Sequence, residues 1–259
     1  MNIYQNKLLI IANTKEKRYH FGIKDGIKQL KANGFECYLL SEDYKALYQK
    51  DNQEPFKISD VDYICSLGGD GTFLYAGSLA IKYGKILFGI NYGHVGYLCA
   101  FEKEDIEEVS PKLLSKKKVI KEPLLECVIN KKKYYAINDV VVGKNNFGVT
   151  ISLKASCDGN EVCNFKGDGL IVATKLGSSA YNSSCGSPVL KQNNEFIITA
   201  VCPYNSLFKY KIIYCDSITE VSLNNKNNKA SIYCDGKNVG SLTKTFIIRK
   251  AQKEIEIIK

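Results

Sequence analysis

The strongest constraint on this chain is a change in the spacing of its apolar runs near residue 100. Before that point short apolar runs alternate with stretches of helical pattern. "KLLIIAN", "CYLL", "VDYICSL" and "KILFGIN" read as buried strands. Residues 18–32, "DYKALYQK" and "TFLYAGSLAIKY" read as the helices between them, and in the last of these Phe73, Ala76, Gly77 and Ala80 share one face. "NGF" at Asn33–Phe35 stops the first helix, and Gly84 stops the last. Strands alternating with helices predict parallel βαβ units. A helical patch, "EKEDIEEVSPKLLS", is expected over 102–115. Beyond it the runs are short, rich in Val, Ile, Thr and Tyr, and separated by Gly, Asn or Asp: "LLECVIN", "YYAINDVVVG", "VTISLKASCDG", "LIVAT", "EFIITAVCP", "KIIYCDS", "TEVSL", "ASIYCDG" and "TFIIRKA". That pattern is all-β. "NNKNNKA" at 224–230 reads as a hairpin loop. The expected division is an α/β domain over 1–101, an all-β domain over 102–245, and a segment 246–259 whose "KEIEIIK" returns as a strand to the first domain.

Composition narrows the function classes. A chain of 259 residues with 45% hydrophobic and 24% charged content suits a globular protein with a sizeable core. No apolar run approaches a membrane span. The start reads as a first strand and not as a leader, and a cytoplasmic protein is expected. Net charge is +9, yet the lysines are scattered. The groups at Ser115–Lys118 and Asn130–Tyr135 read as solvated faces, with no interleaved basic and aromatic patch for nucleic acid. The ten cysteines form no C-x-x-C pair, and His20 and His94 are the only histidines, so zinc-ligand spacing is lacking. Cysteines inside apolar runs read as reduced, buried, small hydrophobes.

Four stretches carry the chemistry. In "GGDGT", Gly68–Thr72, a strand hands over to a helix. There free N–H groups and a partial positive charge suit phosphate. Gly68, Gly69 and Gly71 let the backbone approach closely, and Thr72 adds a hydroxyl. Asp70 in this place either caps the helix or does chemistry, by holding magnesium or accepting a proton from an attacking hydroxyl. The stretch is neither G-x-x-x-x-G-K-[ST] nor G-x-G-x-x-G. "GINYGHVGYLCAF" follows the next strand. His94 there is either structural or a nucleotide contact, and Tyr97 is placed to stack on a base. Asn138–Asp139 suits either paired ribose hydroxyls or a turn. "KGDGLIVATKLGSSAYNSSCGSPVL", Lys166–Leu190, surrounds Tyr181 with small hydroxyl residues, as a binding groove needs and a strand does not.

In this order the four stretches resemble the NAD kinases. That family's G-G-D-G-T, N-x-G-x-L-G-F-L, N-E/D, D-G-L-I-V-S-T-P-T-G-S-T-A-Y and G-G-P stand here as Gly68–Thr72, "NYGHVGYL" at 91–98, Asn138–Asp139, "DGLIVATKLGSSAY" at 168–181 and "GSP" at 186–188. "AVCPYN" and the "CDG" at 234–236 match later family turns. The resemblance implies a Rossmann-like N-terminal α/β domain, a C-terminal β-sandwich and an active site in the cleft between them. It implies phosphoryl transfer from ATP, or another triphosphate or polyphosphate, to the 2′-hydroxyl of the adenosine ribose of NAD. It also implies magnesium carried by the donor, small nucleotides as partners, no membrane or nucleic acid, and a homodimer or homotetramer.

By position, Asp70 becomes the general base, and Gly68, Gly69, Gly71 and Thr72 cradle phosphates. Asn138 and Asp139 hold ribose hydroxyls or the amide side of the dinucleotide. Asn91, His94, Tyr97, Lys166, Asp168, Thr174, Ser179, Ala180, Tyr181 and Ser184 complete the nucleotide-binding set, with no protein metal ligand. Departures are "TKLG" for T-P-T-G, "GSP" for G-G-P, Tyr204 for a histidine, and Lys209 or Lys211 where the family has arginine, whose bidentate fork lysine lacks. Two other readings follow from these departures and from the shared glycine loop: a non-catalytic NAD(P) sensor, and a lipid or diacylglycerol kinase.

Overall fold

The computed structural model describes residues 6–50, 53–93, 95–224, 229–242 and 245–259. They form two compact units, one of residues up to Lys121 together with Ile255–Lys259, the other of Glu122–Glu254.

In the first unit, strands β1 (Lys7–Ala12), β2 (Glu36–Leu39), β3 (Tyr63–Gly68), β4 (Ile86–Asn91) and β5 (Phe101–Glu102) alternate with α1 (His20–Ala32), α2 (Ser41–Tyr48) and α3 (Asp70–Tyr83). The strands are parallel in the order β2-β1-β3-β4, with β5 beside β4. Every residue of β3 is buried, and so are five of the six in β1 and β4. That is why these segments read as unbroken apolar runs. Helix α3 buries Phe73, Ala76, Gly77 and Ala80, the face its spacing predicts. The expected helix over 102–115 is instead a 3-10 turn at Lys103–Asp105 and one helical turn, α4 (Pro111–Leu114). The break lies between them, where Ser110 caps the second turn by accepting from the Leu113 N–H at 3.3 Å and Pro111 cannot continue a helix from the residue before it. Ile106, Val109 and Leu114 join the core of this unit.

The second unit holds β6 (Val119–Ile129, whose first residues belong to the first unit), β7 (Lys132–Ala136), β8 (Asp139–Lys144), β9 (Ile151–Cys157), β10 (Asn160–Gly167) and β11 (Gly169–Ala173). It continues with β12 (Glu195–Val201), β13 (Tyr210–Tyr214), β14 (Thr219–Leu223), β15 (Ala230–Cys234), β16 (Lys237–Leu242) and β17 (Thr245–Ile258). One antiparallel sheet runs β13-β12-β11-β8-β15-β16. In a second layer β10, β9, β14 and β17 pair antiparallel in that order, and β6 pairs with β7. Leu153, Phe165, Val221 and Phe246 of the second layer share one core with Val142, Val172, Ile198 and Ile232 of the first. This is the sheet-on-sheet packing of a sandwich. The last residues of β17 lie in the first unit, where Ile257 pairs parallel with Leu87 of β4. All ten cysteines are free thiols. The hairpin loop expected at 224–230 lies largely outside the described residues. No helix among them is long and apolar enough to cross a membrane.

Candidate active site

In the first unit the glycine stretch ends β3 and starts α3. Gly69 is the N-cap and Asp70 the first helical residue, and the N-cap makes no side-chain bond. Asp70 is therefore no cap of its own helix. Its Oδ1 accepts the backbone N–H of Leu98 at 3.0 Å, and among the described residues no group bonds Oδ2. The N–H groups of Asp70 and Gly71 precede the first intrahelical bonds, which run from Thr72 and Phe73 to the Gly69 carbonyl. Gly71 is exposed with open space on its Cβ side, so a ligand can approach the backbone there.

The loop after β4 lies directly on this turn. A Cβ on Gly93 would sit 3.3 Å from the Gly69 Cα, and one on Gly69 would sit 3.3 Å from the Val95 carbonyl oxygen. The loop is held from below by Asn91, which is buried. Its Nδ2 donates to Glu102 Oε2 at 3.0 Å, and its Oδ1 accepts from the Gly93 N–H at 2.9 Å. Asn91 thus spends its amide on the loop, and Glu102 is a partner that local pattern could not reveal. Cys99 donates its thiol to the Gly68 carbonyl at 3.8 Å. Tyr97 is 77% exposed at the rim of a 510 Å³ cavity lined also by Asn91, Gly93 and Glu102. His94 lies outside the described residues.

In the second unit Asn138 precedes β8 and Asp139 opens it, each only 7% exposed. Asp235, in the turn between β15 and β16, accepts the N–H groups of Ile137 at 2.7 Å, Asn138 at 2.8 Å and Asp139 at 3.2 Å. From the other side Thr174 donates its hydroxyl to the Ile137 carbonyl at 2.6 Å and its N–H to the Asn138 carbonyl at 2.9 Å. Thr174 also caps the helical turn α5 (Lys175–Ser178) by accepting from Gly177 N–H at 3.2 Å. The Asn138 Oδ1 is buried with no hydrogen-bond partner. Burial, and next the charge of Asp235, push the Asp139 carboxyl up to about 7. Burial pushes Asp235 up to about 6 against the pull of its three N–H donors.

The remaining candidates fall into two groups. Ser179, Ala180, Tyr181 and Ser184 are exposed around α6 (Tyr181–Ser184). Beneath them lies a buried polar chain that sequence reasoning missed. Asn182 donates to the Ser178 carbonyl at 3.1 Å and accepts from Thr199 at 2.5 Å, and Ser187 meets the Thr199 hydroxyl at 2.9 Å. The serine of "GSP" is thus bonded into the floor of this surface. Asp168 pairs with Lys144 at 2.6 Å, while Lys166 is exposed and its carbonyl accepts from the Tyr204 N–H at 2.7 Å. Burial raises the Tyr181 phenol first, and the charges of Asp168 and Asp139 add to it, so these groups share one neighbourhood.

A glycine-backed helix start with an anchored carboxylate, and a buried amide–carboxylate pair, describe a nucleotide-handling protein. A family model described as the ATP-NAD kinase N-terminal domain matches residues 8–118, and one described as its C-terminal domain matches residues 137–259. The chain is 32% identical to an NAD kinase of Chlorobium phaeobacteroides over 205 residues, 76% of this chain and 71% of that protein. It is 30% identical to an NAD kinase of Clostridium beijerinckii over 214 residues, 79% of this chain and 75% of that protein. Its fold matches a crystal structure of an NAD kinase from Archaeoglobus fulgidus in complex with ATP, with TM-score 0.77, 26% identity and coverage of 98% and 93%. The yeast NADH kinase complexed with NADH matches at TM-score 0.84 with 17% identity, a likeness of fold, over 99% and 84%. The chain belongs to the NAD kinase family and is an NAD kinase enzyme.

Proposed function

We propose that this enzyme transfers a phosphoryl group from ATP, or from another triphosphate or polyphosphate, to the 2′-hydroxyl of the adenosine ribose of NAD, giving NADP. The observation that carries the reading is the Asp70 carboxylate, fixed at the start of α3 by the Leu98 N–H, with no bond to its second oxygen among the described residues. Asp70 takes the proton of the 2′-hydroxyl. The ribose oxygen forms a bond to the terminal phosphorus of the donor, the bridging P–O bond breaks, and the shortened donor leaves with its electron pair. The free N–H groups at the start of α3 hold phosphate oxygens, and Gly71 leaves room for them. Asn138 and Asp139 hold ribose hydroxyls, and the surface of Ser179, Ala180, Tyr181 and Ser184 takes the bases.

Among the described residues no three His, Cys, Asp or Glu side chains converge as a metal site. Magnesium keeps several waters and binds through substrate phosphates more readily than in all-protein cages, so it fits here as a passenger of the donor. When bound it neutralises charge on the transferring phosphoryl group. We place the enzyme in the cytoplasm as a homodimer or homotetramer, a state that analytical ultracentrifugation reads directly.

The deciding assay follows NADP formation from NAD and magnesium across ATP, other triphosphates and polyphosphate. Asp70→Asn lowers kcat by roughly a hundredfold or more, the scale of a lost general base, and leaves NAD affinity intact. Wild-type enzyme forming no NADP with any donor, or Asp70→Asn keeping full turnover, refutes the reading.

A further inference from the structure

The turn "CDG" lies far in sequence from every stretch given a chemical role so far. Asp235 and Gly236 both have positive φ, 48° and 76°, and join β15 to β16 as a two-residue hairpin loop. That conformation is one that Asp-Gly or Asn-Gly supplies equally well. The hairpin accounts for a small polar residue at 235. It does not account for a buried carboxylate.

The carboxylate is spent elsewhere. Both of its oxygens are used, Oδ2 on the Ile137 N–H and Oδ1 on those of Asn138 and Asp139, and its own N–H donates to the Asp139 carbonyl at 3.1 Å. Every N–H from 137 to 139 is therefore committed to one side chain, and the Thr174 hydroxyl and N–H hold the carbonyls of the first two. What this rigid segment leaves over is the Asn138 Oδ1, buried and unbonded, and the Asp139 carboxyl, buried beside a second carboxyl. An unbonded buried acceptor costs about 1–3 kcal/mol. Such a cost is tolerated where a ligand hydroxyl supplies the missing donor.

We infer that Asp235 is a positioning residue for the nucleotide: through the three N–H groups of 137–139 it holds the Asn138 amide oxygen and the Asp139 carboxylate ready to accept the hydroxyls of a ribose. The inference rests on the NAD-phosphorylating reading only for the identity of that ribose. The groups that face Asp139 are Asp235 and Cys234 from the β15 hairpin and Tyr181 from α6. Among the described residues no cation acts on Asp139, and its carboxyl, pushed up to about 7, ionises as pH rises through that range.

Asp235→Asn keeps the hairpin conformation and removes the charge. The expected result is an NAD KM raised roughly tenfold or more, the scale of a lost charge-assisted hydrogen bond, with the donor KM unchanged; melting also falls, because Asn replaces one of the two acceptor oxygens with an NH2 group. The pH at which NAD affinity rises also moves lower, because the like charge next to Asp139 is gone. A purely structural role for Asp235 would change stability and leave the NAD KM and the pH limb as in wild type. Calorimetry with NAD reads binding without turnover, so failure of NADP formation leaves this test intact. If the variant does not fold, wild-type NAD affinity measured from pH 6 to 8 decides: a rise supports the inference and a flat profile overturns it. Equal NAD affinity in Asp235→Asn and wild type also overturns it, and wild-type protein that does not bind NAD at all overturns both readings.

Discussion

Gly177 offers the sharpest single-residue test of the described site. A Cβ built there would lie 2.0 Å from the Asn138 carbonyl oxygen, 2.4 Å from its carbon and 2.6 Å from its Cα. The first of these falls 1.4 Å short of the 3.4 Å where ordinary contact begins. All three atoms are backbone, so no side-chain rotation relieves the clash. The backbone they belong to is fixed by Asp235 on one side and Thr174 on the other. Gly177→Ala must therefore part α5 from segment 137–139. Overpacking of this kind costs about 1–3 kcal/mol. The bonds from Thr174 to the carbonyls of Ile137 and Asn138 add about 1 kcal/mol each when broken. A total of about 3–5 kcal/mol lowers Tm by roughly 6–20 °C at about 2–4 °C per kcal/mol. Because the displaced residue is Asn138, NAD affinity should fall in the same variant, measured by calorimetry below its melting point. A Gly177→Ala protein melting within 2 °C of wild type would show that the close approach does not exist. One that is destabilised but binds NAD normally would show that Asn138 has no part in the site.

Which parts of this arrangement the sequence discloses follows from how far each interaction reaches along the chain. The parallel strands of the first unit are legible because burial on both faces makes Leu8–Ile11 a continuous apolar run and Tyr63–Leu67 one broken only by the buried Ser66. The glycine turn is legible because its chemistry is compressed into five residues. Strands β10 and β16 are not, since each ends its sheet and carries exposed polar residues at half of its positions. Strand β17 reads as two because Gln252, Lys253 and Glu254 are exposed in its middle. Asp70 looks like a helix cap until Leu98, 28 residues on, claims its Oδ1. Asp235 and Asn138 lie 97 residues apart. No local pattern links them, and only the pairing of β15 with β8 brings that hairpin to the segment it holds.

Two further predictions probe the glycine turn of the first unit and the carboxyl pair of the second. Gly71→Ala meets no atom within 4 Å, so it should fold as well as wild type or up to about 1 kcal/mol better, as Gly→Ala does inside a helix. Its added methyl nonetheless stands where phosphate must approach the backbone, so KM for a phosphate-bearing substrate should rise; unchanged kinetics would remove Gly71 from the cradle. For the buried pair the sign runs against the usual acid behaviour. Asp139 and Asp235 titrate in the folded chain near 7 and 6, above the ordinary aspartate value of about 3.9. Between those limits the folded state therefore binds more protons than the unfolded one. By linkage, ligand-free stability contributed by this pair is fully present below about pH 4 and is lost as pH rises to about 7, by an amount on the order of a few kcal/mol. Asp139→Asn removes a charge that burial, and next the like charge of Asp235, disfavours, so its melting temperature should exceed that of wild type at pH 8 and the difference should shrink toward pH 5. A difference independent of pH would mean that neither burial nor the charge of Asp235 raises the Asp139 carboxyl, and the held segment at 137–139 would then have no electrostatic reason to prefer a ligand over its empty state.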